Sequence, residues 1–174
     1  MSNEVINALI AKQKNTKPNI EDVASDFLEG EALKNVLDFA AWLRENNMNP
    51  RWSSAQSWRI TGKKSKPVCK INLGGAKGAW VGHMKAGDWQ ICELESMGRE
   101  YLEEFNSCDE MKKLVWANVK TCNKCSCCGP RCWTYFGKQF DECCALLIKN
   151  PNTDELKLAK KLVEANKRFI YNNV

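Results

Sequence analysis

The chain is expected to fold as an α+β domain: N-terminal helices, a central antiparallel four-stranded meander, and C-terminal helices with a cysteine-rich metal loop. Three observations predict this. Apolar residues recur at helical spacing before residue 50 and again after residue 100. Between them the period shortens to two, in short segments rich in Trp, Ile and Val divided by Gly/Lys turns. Seven of the ten cysteines fall within the 23 residues 122–144. With 174 residues and no low-complexity linker or internal repeat, one domain over 1–174 is expected, long enough to bury a core without staples.

The elements follow in order. Val5, Ile6, Leu9 and Ile10 share a helical face, and Pro18 ends that first helix. Asn19 is the expected N-cap of a second helix, with Glu21 and Asp22 in the first turn, where the helix dipole favours carboxylates. It should end near Gly30. Leu33, Val36, Leu37, Ala40 and Leu43 define a third helix from about Glu31 to Asn46, stopped by Asn47 and Pro50. Residues 1–49 are therefore read as helical.

Residues 50–93 are read as a sheet with strands Ser57–Thr61, Pro67–Leu73, Ala79–Met84 and Asp88–Cys92. Alternation sets Trp58 with Ile60, and Cys69 with Ile71 and Leu73, while Arg59 and Lys70 point the other way. One face should rest on helices and the other should be basic and wet. Helical spacing resumes over 94–121, at Tyr101, Leu102 and Phe105, then at Met111, Leu114, Val115 and Val119. After the cysteine-rich segment 122–144, the run Phe140 to Lys149 reads as a short apolar helix broken by Pro151. Asn152 and Glu155 stand at capping-box spacing before a C-terminal helix over 152–171, whose buried stripe is Leu156, Ala159, Leu162, Val163 and Ile170.

No apolar run approaches the ~20 residues of a membrane helix, so no membrane partner is expected. The stretch MSNEVINALIAKQKN lacks the build of an export signal. A cytoplasmic, reducing setting is the expectation that follows. There, clustered cysteines bind metal or turn over more often than they form structural disulfides. The net charge of +5 is unevenly spread. Residues 50–90 hold 8 basic groups against Asp88 alone, a net of +7, and lie between segments 1–49 and 91–121, each at −3.

The cysteine segment contains C-x2-C-x2-C-x3-C, formed by Cys122, Cys125, Cys128 and Cys132. Zinc takes four soft tetrahedral ligands, and a C-x2-C turn lets two thiolates meet one ion. These four are the expected zinc ligands. Cys127 can stand in for Cys128, and one of the neighbours Cys143 and Cys144 can come up from the following helix. The same run has the spacing of bacterial ferredoxin loops, where proline follows the last cysteine. Trp133 stands there instead, and an iron–sulfur cluster is the alternative cofactor. Thiol–disulfide exchange is a third reading, although C-x2-C here follows a helix instead of opening one. Cys69, Cys92 and Cys108 read as small apolar residues.

Trp52, Trp58, Trp80 and Trp89 are interleaved with Arg51, Arg59, Lys63, Lys64, Lys66, Lys70, Lys77 and Lys85. On a sheet this pattern can stack bases and track phosphates, which makes nucleic acid an alternative partner beside an unidentified ligand or protein. The competing reading is core tryptophans with lysines in hairpin turns, and Lys63-Lys64-Ser65-Lys66 looks like such a turn. Gly74-Gly75-Ala76-Lys77-Gly78 lacks Walker spacing and precedes no helix, so it also reads as a turn. His83 stands alone mid-strand. Glu93, Glu95, Glu100, Glu103 and Glu104 suit a solvated helix face. No nucleophile–base pair or paired-carboxylate signature is recognisable, so the expectation leans away from an enzyme.

Overall fold

The computed structural model describes residues 3–74, 84–94, 100–121, 133–140 and 144–173. The helices are α1 (Asn3–Thr16), α2 (Gly30–Glu45), α3 (Asp109–Asn118) and α4 (Thr153–Asn173). The first strands are β1 (Arg51–Ser54), β2 (Ser57–Thr61), β3 (Pro67–Leu73) and β4 (Trp89–Cys92). Later in the chain come β5 (Val119–Thr121), β6 (Trp133–Tyr135), β7 (Lys138–Phe140), β8 (Cys144–Leu146) and β9 (Ile148–Lys149). The main sheet is antiparallel and five-stranded, in the order β1-β2-β3-β4-β9. The expected α+β class is therefore present.

One register row explains why these segments become strands together. Trp58, Ile71, Ile91 and Ile148 lie side by side across β2, β3, β4 and β9, and none is more than 1% exposed. Burying each such side chain contributes about 1.5–3 kcal/mol, which outweighs any local helical tendency in a short apolar run. Val36, Phe39, Ala40 and Leu43 of α2 are fully buried at helical spacing. The Phe39 ring centroid lies 6.1 Å from that of Trp89, joining α2 to the sheet. The expected stripe of α4 is buried throughout, and Asn166 Nδ2 donates to the Val68 carbonyl at 2.7 Å, tying α4 to β3.

The opposite face of the sheet departs from the wet, basic expectation. Arg51 and Arg59 are exposed, but Ser57, Asn72 and Gln90, registered in one row, are at most 3% exposed. Polar groups are tolerated here because they pair: Ser57 Oγ donates to Asn72 Oδ1 (2.7 Å), and Asn72 Nδ2 donates to Cys92 Sγ (3.2 Å). Gln90 Nε2 has no partner among the described residues.

Two expected helices are replaced. The segment from Asn19 to Gly30 forms two 3-10 turns, Ile20–Asp22 and Ala24–Asp26. Asn19 stands at the N-cap of the first, where Asp22 Oδ2 accepts from its backbone N–H at 3.2 Å. Non-helical backbone at Val23 (φ −132°, ψ −9°) and Phe27 (φ −123°, ψ −26°) ends each turn, and Ile20, Ala24, Phe27 and Leu28 are buried. Where a helix from Phe140 to Lys149 is expected, the described residues are the end of β7, then β8 and β9, and residues 141–143 lie outside the described residues. Periodicity cannot separate a short apolar helix from a buried strand, and edge pairing with β4 and β5 decided for strands. Tyr101 to Phe105 lie in a 3-10 helix, Glu100–Phe105, held by the Tyr101 hydroxyl donating to the Leu94 carbonyl at 2.7 Å.

The meander runs consecutively from β1 to β4, with β3 paired directly to β4. The expected strand Ala79–Met84 lies outside the described residues apart from Met84, which is not in a strand. Arg51–Ser54 supplies a strand that the periodicity did not single out.

Candidate functional site

Cys122, Cys125, Cys128 and Cys132 lie outside the described residues, as do Cys127 and Cys143. The frame around them is described. Helix α3 runs directly into β5, which ends at Thr121, the residue before Cys122. Strand β5 pairs antiparallel with β8 in the register Val119↔Leu146, Lys120↔Ala145 and Thr121↔Cys144. Partners in such a ladder have Cα atoms about 4.5–5.5 Å apart, so the two ends of the cysteine window are held side by side. Asn118, at the base, accepts from the Leu147 N–H through its carbonyl (3.0 Å), while its Nδ2 donates to the Leu114 carbonyl (2.9 Å).

Within the window, β6 and β7 form a hairpin in the register Trp133↔Phe140, starting one residue after Cys132. Its turn, Phe136-Gly137, is left-handed at both residues (φ 50° and 75°), which glycine accommodates at the second. The hairpin is fastened to α3: Trp116 Nε1 donates to the Tyr135 carbonyl at 2.8 Å, and Lys138 Nζ sits 5.6 Å from the Trp116 ring centroid. Tyr135 is 1% exposed and meets Phe140 edge-on at 5.7 Å. An open cavity of about 350 Å³ separates this hairpin from the Glu100–Phe105 helix, with Glu100, Glu103, Thr134 and Phe136 on its walls.

Among the described residues, no group of three or more His, Cys, Asp or Glu is placed to hold a metal. Cys69 is a buried free thiol and Cys108 a half-buried one, while Cys92 is buried and its Sγ accepts from Asn72 Nδ2. Burial first, then the neighbouring Cys92 and Glu93, pushes the Cys69 thiol well above its ordinary pKa. It remains a protonated apolar residue, as its sequence setting implied.

The basic, tryptophan-rich segment resolves into core and rim. Trp58 and Trp89 are wholly buried, and Trp58 Nε1 donates to the Pro18 carbonyl at 2.9 Å. Trp52 is half-buried, while Trp80, Lys77 and His83 lie outside the described residues. Neither Trp58 nor Trp89 can stack on a base. Arg51, Arg59 and Lys70 are registered across β1, β2 and β3, a like-charge row that is unfavourable by itself. Glu93 relieves it: Arg59 grips its carboxylate through Nε (3.0 Å) and Nη2 (2.9 Å), with Lys70 Nζ at 3.7 Å. Gly74 has a packing role. Its N–H donates to the Asp88 carbonyl at 2.7 Å, and a Cβ there would lie 2.1 Å from the Lys85 carbonyl oxygen.

No protein-family model, curated protein or solved structure matches the chain. No helix among the described residues is long and apolar enough to cross a membrane.

One surface group escaped the sequence reading. Tyr171 of α4 is 48% exposed, and its Cε2 would stand 3.2 Å from a Cβ placed on Gly62, at the start of the Lys63–Lys66 turn. Lys63, Lys64 and Lys66 are all exposed, and none makes an ion pair among the described residues. The available signal was helical phase. Tyr171 follows the buried Ile170 and so turns about 100° away from the core-facing stripe.

Proposed function

We propose that segment 122–144 binds one zinc ion structurally, with Cys122, Cys125, Cys128 and Cys132 as its thiolate ligands. The observation that carries this reading is the register Thr121↔Cys144, which brings together the two ends of a window holding seven cysteines. A closed base and the hairpin anchored to α3 shorten the search a metal would otherwise impose on the chain, so less ordering entropy opposes ligation. Zinc suits the donor set: thiolates are soft, and four of them fill a tetrahedral site with no open position for catalysis. The site would then tie a polar loop to the fold, with ligand or partner recognition lying elsewhere on the protein.

The test is metal analysis and a visible spectrum on protein purified without air. A single zinc per chain with no colour is expected, and a Cys122→Ser/Cys125→Ser variant should lose the metal and melt at lower temperature. A brown chromophore overturns the zinc reading in favour of an iron–sulfur cluster. Metal-free protein with paired thiols overturns it in favour of disulfide exchange.

A further inference from the structure

The geometry points to a single-stranded nucleic-acid binding site formed by the Lys63–Lys66 turn and Tyr171, independent of the cysteine segment. Two segments far apart in the chain build it. The turn joins β2 to β3 and is pinned by Gly62 N–H donating to the Lys66 carbonyl (2.8 Å) and Lys66 N–H donating to the Lys63 carbonyl (3.1 Å). Lys64 and Ser65 both adopt left-handed backbone (φ 50° and 60°), an unfavourable conformation for two successive residues that are not glycine. The twist of the β2–β3 hairpin selects it, since a two-residue hairpin turn of this kind needs left-handed backbone at both central positions. The turn holds three ammonium groups, otherwise without ion pairs among the described residues, within a four-residue stretch.

Helix α4 supplies the aromatic. Asn166 fixes α4 to the Val68 carbonyl, and Ile170 and Tyr171 then close over Gly62, where a Cβ would meet Ile170 Cγ2 at 3.3 Å and Tyr171 Cε2 at 3.2 Å. The bare Gly62 backbone allows Tyr171 to lie against the base of the lysine turn while remaining half exposed. An exposed aromatic next to unpaired cations is what a single strand requires: a base stacks on the ring while its phosphates meet the lysines. A duplex keeps its bases stacked on one another and offers the ring nothing to stack on. The buried tryptophans of the sheet cannot take this role.

The test uses the full chain and a fluorescein-labelled single strand of about a dozen nucleotides, followed by anisotropy across a salt series. Wild-type protein should bind the single strand more tightly than a duplex of the same sequence. Neutralising the turn as Lys63→Gln/Lys64→Gln/Lys66→Gln should reduce the slope of log affinity against log salt by roughly two. Tyr171→Ala should weaken binding about tenfold, and Tyr171→Phe should restore it. All four positions are exposed, so helical content and zinc content should not change in these variants. Absence of binding at low salt overturns the proposal, and so does an unchanged salt slope in the triple variant. Equal affinity for duplex, or wild-type affinity in Tyr171→Ala, overturns it in favour of a general polyanion surface.

Discussion

Replacing Asn152 by alanine removes the acceptor that opens the 21-residue helix α4. Asn152 Oδ1 accepts from the backbone N–H groups of Asp154 and Glu155, each at 3.0 Å, and Glu155 Oε2 accepts from the Asn152 N–H at 3.0 Å. Alanine keeps the backbone N–H, so the Glu155 half of the box survives and only the Asn152 half is lost. Those two donors sit at an exposed helix end, where water replaces the lost acceptor in part. The expected cost is therefore that of an N-cap, about 1 kcal/mol, instead of that of two buried hydrogen bonds. For a domain of this size, with a urea dependence of roughly 2 kcal/mol per molar, the midpoint should fall by about 0.5 M and the melting temperature by about 2–4 °C. Equilibrium urea unfolding followed by tryptophan fluorescence measures this, with Asn152→Asp as the control that keeps an acceptor in place. A midpoint for Asn152→Ala within about 0.1 M of wild type would refute the reasoning. So would an Asp variant as unstable as the Ala one.

Three further outcomes follow from the packing and electrostatics. Burial alone would raise the Asp88 pKa, but Lys149, Asn150 and the Lys85 N–H together hold it below the usual carboxylate value. Its stabilising contribution is therefore complete above about pH 4 and is lost as pH falls through the depressed folded value. The stability gap between wild type and Asp88→Asn should be constant from about pH 5 to 8 and close in acid; a gap that persists at about pH 2 contradicts this assignment. Cys69, buried and protonated, should resist alkylation in the native protein and react only at the rate of unfolding, as mass spectrometry of trapped peptides would show; prompt labelling contradicts its burial. Ile71→Ala, at the centre of the four-residue apolar row, should cost about 2–5 kcal/mol in urea unfolding, and a cost below about 1 kcal/mol would mean the row is not packed as described.

Much of the architecture was legible in the residues. The third expected helix corresponds to α2 within a residue at each end, because its apolar spacing is long, regular and closed by Asn47 and Pro50. Strands Ser57–Thr61 and Pro67–Leu73 match β2 and β3 by residue, since alternation and a Gly/Lys turn mark both ends. The Asn152–Glu155 box holds because capping is a contact between near neighbours. The apolar run Phe140 to Lys149 failed because its outcome depends on β4 and β5, more than 20 residues away, and nothing local distinguishes a buried strand from a buried helix there.

For the candidate sites the division is sharper. Local sequence determined that this chain has a thiolate-rich segment with zinc-compatible spacing, and that its net positive charge peaks between residues 50 and 90, where Asp88 is the one acidic residue. Only tertiary structure decided that the ends of the thiolate segment meet at Thr121 and Cys144. Only tertiary structure withdrew Trp58 and Trp89 into the core and set Tyr171 against Gly62, more than 100 positions earlier in the chain. The physical reason is the same in each case. Residue type and short-range period encode what a segment can bury or bind, whereas its neighbours are chosen by the pairing of strands and the packing of helices from the whole chain.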